Sequence, residues 1–172
     1  MSALLRPLTR PALHAFRQRY VPDALEPPYP YDAAAVDAEF DAAREAGHVG
    51  FAVFLDGEVV GVLTLRGIDR QKGRCTLGIL LADERCRGRG LGRAACEQAL
   101  AYAFDTLGMR AVYAETLGGN ARMRRVLERL GFVCYLRMEE AVAIGTGRED
   151  LLCFRRLHPS APDARPEPCP LP

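Results

Sequence analysis

The sequence lacks most of the features that would take it out of ordinary globular chemistry. No apolar run approaches the ~18 residues of a membrane-spanning helix, so no membrane partner is expected. Charge of one sign is missing too: 23 Lys+Arg stand against 22 Asp+Glu, a formal net charge of +1. That balance excludes the basic footprint of a general nucleic-acid binder and the bulk charge of a polyacidic protein, but not a local patch. Arg6, Pro7 and Arg10 stand where a secretory leader would carry its apolar core, so no leader is expected and the protein is read as cytoplasmic. The six cysteines (Cys75, Cys86, Cys96, Cys134, Cys153 and Cys169) form no C-x-x-C pair. Of the three histidines, His14, His48 and His158, none sits at metal-ligand spacing from a cysteine, so no metal is expected. Without an oxidising compartment a disulfide framework is not expected either, and the cysteines read as small buried apolar residues. Cys86 as a nucleophile would need a base that the sequence does not offer nearby. There is no internal repeat.

What is present is the composition of a packed domain. The 172 residues are 49% hydrophobic and 26% charged, enough for one domain and hardly for two. Ala3–Leu8 predicts a short strand, and Pro11–Tyr20 a helix with proline in its opening turn. The prolines of Pro22–Pro30 mark a loop. Asp32 is a plausible N-cap for an alanine-rich helix that stops at Gly47. The period then changes. Val49–Leu55 and Glu58–Leu65 predict two strands joined at Asp56-Gly57, a hairpin signal. Cys75–Leu81 is continuously apolar and predicts a strand buried on both faces. Leu91–Leu107 predicts a long amphipathic helix ending at Gly108. A strand over Arg110–Leu117 follows, then a helix over Asn120–Leu130 stopped by Gly131, then strands over Phe132–Met138 and Glu149–Leu157. The order β-α-α-β-β-β-α-β-α-β-β implies an α/β chain around a mixed sheet. Residues 1–157 read as one domain. Residues 158–172, crowded with Pro159, Pro162, Pro166, Pro168, Pro170 and Pro172, read as a flexible tail, or as a docking peptide.

The segment richest in chemistry is Arg87-Gly88-Arg89-Gly90-Leu91-Gly92, between a strand and the long helix. Such a junction points several backbone N–H groups at one spot, and the helix dipole adds partial positive charge there. Glycines let the main chain approach an anion closely, and Arg87 and Arg89 add full charges, so the segment reads as a phosphate or pyrophosphate cradle. A mere turn is the plain alternative. It is not the dinucleotide fingerprint, which needs a glycine where Arg93 stands, nor a Walker loop, since no Gly-Lys-Ser/Thr follows.

On these residues the chain resembles the GCN5-related N-acetyltransferases. Arg87-x-x-Gly90-x-Gly92 is similar to the loop with which that family binds the pyrophosphate of acetyl-coenzyme A. Asn120-Ala-Arg-Met-Arg-Arg-Val-Leu-Glu-Arg-Leu-Gly131-Phe132 resembles its Asn-led helix ending in Leu-Gly-Phe. Arg137–Asp150, with an arginine–glutamate run and a Gly-x-x-Asp before the last strand, looks like the branch of ribosomal-protein alanine acetyltransferases. The resemblance implies a single-domain α/β fold: a mixed, mostly antiparallel sheet of about seven strands, four flanking helices, and two strands splayed at the cofactor site. It implies that Ile79, Leu80 and Leu81 offer backbone groups to the pantetheine arm, that Arg87, Gly88, Arg89, Gly90, Leu91 and Gly92 hold the pyrophosphate, and that Asn120 contacts the arm or simply caps its helix.

The implied activity is acetyl transfer from acetyl-coenzyme A to a primary amine of a small molecule or a protein N-terminus. A protonated amine is no nucleophile, so a base or water wire must deprotonate it. Glu115 occupies the place where some amino-terminal acetyltransferases carry that base, although it could equally face solvent or pair with an arginine. The tyrosine that protonates the coenzyme thiolate in many members is here Leu127, leaving Tyr135, Tyr113 and Cys134 as weak substitutes. Thr76 stands where some relatives carry a second carboxylate. The acceptor surface is expected from the first two helices, with Pro27, Pro28, Tyr29, Pro30 and Tyr31 as an aromatic wall or a packed loop. Asp32, Asp37, Glu39 and Asp41 would attract a cation or merely solvate a helix. The alternative function is a coenzyme-binding regulatory or structural protein with little or no catalysis. RNA binding through the arginine-rich Asn120 helix conflicts with the neutral charge. The protein is expected to act as a monomer or homodimer.

Overall fold

The computed structural model describes residues 4–22 and 29–160. The elements run β1 (Leu4–Pro7), α1 (Arg10–Arg19), α2 (Ala33–Glu45), β2 (Val49–Leu55), β3 (Glu58–Asp69), β4 (Arg74–Leu81), α3 (Leu91–Ala101), β5 (Ala111–Leu117), α4 (Ala121–Arg129), β6 (Val133–Ile144) and β7 (Gly147–Leu157). The order of elements is the one the sequence predicts. No helix among the described residues is long and apolar enough to cross a membrane.

Local chemistry sets many of the boundaries. Thr9 caps α1 through its hydroxyl, which accepts from Ala12 N–H, and Pro11 sits in the first turn. The Asp32 carboxylate accepts from Ala34 N–H at 2.9 Å and Ala35 N–H at 3.3 Å, opening α2 as expected. Asp56 and Gly57 both take positive φ, 50° and 85°, the pattern of a two-residue turn whose twist matches the strands it joins.

The seven strands form one sheet in the order β1-β2-β3-β4-β5-β7-β6. All neighbours are antiparallel except β4 and β5. The last strand is therefore inserted between β5 and β6. Successive residues of a strand face opposite sides, and Phe51, Ala52 and Val53 in β2 and Val60, Val62 and Leu63 in β3 are all buried. The middle of the sheet is thus covered on both faces. Leu13 and Phe16 of α1, Val36 of α2, Ala95, Cys96 and Ala99 of α3 and Leu127 of α4 close the core against it.

Four expectations need correction. The strand predicted to be buried on both faces, β4, is buried at Cys75 and Leu77, but Thr76 and residues 78–81 are half-buried. The cause is topological: β4 pairs with β5 only at Arg74, Cys75 and Thr76, after which the two strands part. The long helix is regular only to Ala101 and finishes in a π-helical turn over Tyr102–Thr106, where Leu107 N–H reaches back to Tyr102 O. That turn carries Tyr102 edge-on against Phe51, 5.1 Å between centroids. β6 continues past Met138 to Ile144 by way of a bulge in which Glu140 takes φ 46° and its N–H donates to Asp150 at 2.9 Å. A run of two glutamates and an alanine hid that continuation. Gly147–Asp150 opens β7 rather than preceding it, because Ile144 and Gly147 already pair across a two-residue turn. At the C-terminal end, His158 N–H donates to Arg110 O and its ring meets Phe104 edge-on. The proline-rich tail from residue 161 on, with Cys169, lies outside the described residues.

Leu63 is fully buried at the centre of β3. Leu63→Ala should destabilise the fold by about 2–5 kcal/mol, from lost transfer free energy plus the cavity left behind. The check is a fall in the urea midpoint with an unchanged denaturant slope.

Candidate functional site

The site begins where β4 and β5 separate. β4 stays paired with β3 as far as Leu81, opposite Gly61, while among the described residues no strand meets its other edge beyond Thr76. Gly61 is required for that close approach, since a Cβ there would lie 2.7 Å from Leu80 O. The opening is a cavity of about 580 Å³ between Ile79–Leu81, the loop at residues 87–90 with Gly92, and α4 from Asn120 to Arg129. Ile79, Leu80, Leu81, Arg87, Gly88, Arg89, Gly90, Gly92 and Asn120 all line it, so one space gathers nearly the whole sequence-predicted set. Leu91 does not line it: its side chain is buried in the core, leaving its backbone N–H as the group it can offer.

The loop is braced from outside and open inside. Asp83 accepts from Cys86 N–H at 3.2 Å and from Arg85 at 2.9 Å. Burial alone would push the Asp83 carboxyl up, but the hydrogen bonds from Arg85 and Cys86 outweigh it and hold the group below the ordinary carboxylate range. The Arg87 guanidinium donates to Val21 O at 2.7 Å, Leu81 O at 3.2 Å and Glu84 at 3.1 Å. Arg122 of α4 closes on the same Glu84 at 2.7 Å, and hydrogen bonds from Arg122 and Arg87 hold that carboxyl low. Arg87 is thus largely committed to the shape of the loop. Gly88 and Gly90 take φ of 72° and 80°, a backbone that a side chain would strain. α3 starts at Gly90 with no side-chain cap, whereas Thr9, Asp32 and Asn120 cap the other helices. Its first-turn N–H groups and positive dipole end therefore stand ready for an anion. Arg93, Arg125 and Arg129 also line the cavity, and among the described residues they make no ion pair. Their charge is available to a polyphosphate.

A second cavity, about 510 Å³, lies on the far side of the splay and shares Ile79, Leu80, Asn120 and Met123 with the first. Glu115 lines it from β5, its side chain 12% exposed and 3.4 Å from Arg66 of β3. Arg17 of α1 and Glu39 of α2 form its outer wall, joined at 2.6 and 3.0 Å. Of the four acidic residues 32, 37, 39 and 41 on α2 and its cap, only Glu39 reaches the cavity; Asp37 and Asp41 bind Arg10 and Asp32 caps the helix. Asn120 performs its capping role, accepting from Met123 N–H at 3.0 Å, while lining both cavities.

Other candidates are not brought to the site. Leu127 is fully buried in the core. Tyr113 and Tyr135 pack edge-on against each other, and neither they nor the exposed Cys134 line either cavity. Tyr29 meets Tyr20 edge-on and carries the Arg17 guanidinium over its ring, and Tyr31 hydrogen-bonds His14; Pro27 and Pro28 lie outside the described residues. Cys86 is buried, and burial and Asp83 push its thiol up; burial pushes Cys75 and Cys96 to about 12. None of the three is an activated nucleophile. Sequence reasoning missed Arg17, Arg66 and Met123. The signal for Arg66 was present: Thr64 and Arg66 alternate with buried Leu63 and Leu65, placing two polar side chains on one face of an inner strand.

Known proteins share this fold. The acetyltransferase (GNAT) domain family matches residues 3–133. YdaF of Bacillus subtilis (strain 168), a candidate ribosomal N-acetyltransferase, is 28% identical over 102 residues, 59% of this chain. The match spans 55% of that relative, about half its length. Among solved structures, a spermidine N-acetyltransferase SpeG chimera from Vibrio cholerae and hSSAT superposes with a TM-score of 0.80 at 21% identity, over 91% of this chain and 96% of that one. Mycobacterium smegmatis RimJ in complex with CoA-disulfide superposes with a TM-score of 0.74 at 20% identity, over 90% of this chain and 81% of that one.

Because the folded Asp83 carboxyl is held low, its stabilising contribution is complete above the unfolded value of about 3.9 and is lost as pH falls through the lower folded value. Asp83→Asn, which keeps an acceptor for Cys86 N–H but removes the charge, should be less stable than the parent at neutral pH. That gap should close in acid, as followed by urea midpoints across the pH range.

Proposed function

Because the chain belongs to the GNAT acetyltransferase domain family, we propose that it moves an acetyl group from acetyl-coenzyme A to a primary amine by direct attack on the thioester. The observation that carries this is the meeting of two cavities at Ile79, Leu80, Asn120 and Met123 in the gap between β4 and β5. One cavity has an uncapped helix start, two left-handed glycines and uncommitted arginines, which suit a pyrophosphate. The exposed edge of β4 beyond Thr76 suits the amides of an extended pantetheine arm. The other cavity holds a carboxylate.

In this proposal the N–H groups of Gly88–Gly92 bind the pyrophosphate, with Arg89 beside them and Arg87 holding the loop. Ile79, Leu80 and Leu81 present backbone groups to the arm, and Asn120 fixes its end. Acetyl-coenzyme A supplies the activated acyl group: attack on its carbonyl carbon makes a C–N bond and breaks the C–S bond. Glu115 takes the proton of the incoming ammonium, restoring the nitrogen lone pair. A backbone N–H at the β4 edge stabilises the negative charge that grows on the carbonyl oxygen. With Leu127 buried in the core, the sulfur leaves as thiolate and takes its proton from solvent. The acceptor is a small molecule or a polypeptide N-terminus; the fold is shared by a spermidine N-acetyltransferase and the sequence likeness is to a candidate ribosomal one. A protein that binds the coenzyme without turnover is the second reading, favoured by Leu127, and acetylation of any amine by the purified protein decides against it.

Gly90→Glu places a carboxylate at the helix start, where a Cβ meets no atom within 4 Å but the φ of 80° strains any side chain. Coenzyme affinity measured by calorimetry should be lost while the far-ultraviolet spectrum is kept; unchanged affinity would remove the loop from the site. Glu115→Gln should lower kcat by about 10²–10⁴-fold with nearly the same coenzyme Kd. Parental turnover at every pH would take Glu115 out of the mechanism.

A further inference from the structure

We infer that the acceptor is a zwitterion, an amine that carries a carboxylate beside it, and that Arg66 selects it. The inference rests on the acetyltransferase reading and deepens it.

Four charged side chains line the acceptor cavity, Arg17, Glu39, Arg66 and Glu115. Their charges sum to zero, but the two pairs differ in kind. Arg17–Glu39 is closed: two hydrogen bonds at 2.6 and 3.0 Å join it, the guanidinium lies 4.4 Å from the Tyr29 ring centroid, and the Arg17 side chain is 11% exposed. Two of its donors are held by Glu39 and its face is covered by Tyr29, so it forms a wall. Arg66–Glu115 is loose: one contact at 3.4 Å joins a guanidinium that is 42% exposed to a carboxylate that is 12% exposed. A guanidinium has five N–H donors and a carboxylate about four acceptor sites, so each of these partners has capacity for a ligand.

Three classes of amine can be weighed against that pair. A polyamine would bring two or more positive charges into a cavity of zero net charge and set one of them beside Arg66, a like-charge contact in a partly desolvated place. A monoamine would draw Glu115 towards itself and leave the half-exposed Arg66 to water, its charge unused in recognition. An ammonium with a neighbouring carboxylate serves both: the ammonium meets Glu115, the carboxylate meets Arg66, and the four charges alternate in sign. The planar guanidinium can accept such a carboxylate bidentately. Two sources share this chemistry, a free amino acid and a polypeptide whose first residue is Asp or Glu.

The test is thiol release from acetyl-coenzyme A with paired acceptors. One arm compares free amino acids with their α-carboxamides. A second compares peptides beginning with Asp or Glu with the same peptides beginning with Asn or Gln. Spermidine is the polycation. The expected result is a kcat/KM at least tenfold higher for the acid than for its amide in one arm, which identifies the source, with spermidine the poorest acceptor. Arg66→Ala should bring the acid-to-amide ratio close to one and Arg66→Lys should recover part of it, each variant shown to be folded by its coenzyme Kd. Equal use of acid and amide by the parent, preference for spermidine, or a ratio untouched in Arg66→Ala overturns the inference while acetyl transfer stands. Coenzyme binding with no amine acetylated overturns the transfer reading itself, and this inference with it.

Discussion

Everything at the site depends on the parting of β4 from β5 after Thr76. The parting is tolerable because each strand keeps its outer neighbour. β4 is paired with β3 up to Leu81, and β5 with β7 up to Leu117 opposite Leu151. Inserting the last strand beside β5 lets the sheet open in its middle without fraying. The inner edges are left with main-chain donors and acceptors that no strand satisfies, and buried groups of that kind are costly unless water or a ligand meets them. A gap so lined is suited to an extended, amide-bearing molecule.

The second constraint is the distribution of arginine. The near-neutral sum of charges conceals a division of labour. Arg10 is bound by Asp37 and Asp41, Arg17 by Glu39, and Arg87 and Arg122 by Glu84. These pairs hold α1 to α2, and the loop to α4. Arg93, Arg125 and Arg129 line the cavity between the loop and α4 and, among the described residues, make no ion pair. Exposed pairs contribute little to stability individually, so their role here is geometric: they fix the outside of a loop whose inside must remain open to an anion.

This division also explains what the sequence could disclose. Asp32, Asn120 and the Asp56-Gly57 turn were legible because capping and turn chemistry involve neighbours within three residues. The loop from Arg87 to Gly92 was legible for the same reason, as a glycine-rich junction between strand and helix. Which arginine braces the loop and which is left unpaired was not, since that depends on Val21 and Leu81 carbonyls brought up by the fold. The half-burial of β4 was misjudged because an apolar run looks the same whether it faces a core or a cleft. The extent of β6 was hidden because its bulge is held by Asp150, ten residues further on.

The position of Leu127 is the last consequence of the same geometry. α4 and its cap present Asn120, Met123 and Val126 to the cavity beside the loop, a spacing of three that follows one stripe of the helix. Leu127 and Leu130 lie on the stripe behind it and are buried. A helix of nine residues that must both close a core and line a cleft has room for each task on one side only. With Leu127 assigned to the core, the cleft side carries Met123 where the two cavities meet, a thioether that cannot give up a proton. In the proposed acetyl transfer, proton return to the leaving thiolate therefore comes through water, and the gap between β4 and β5 is open to it.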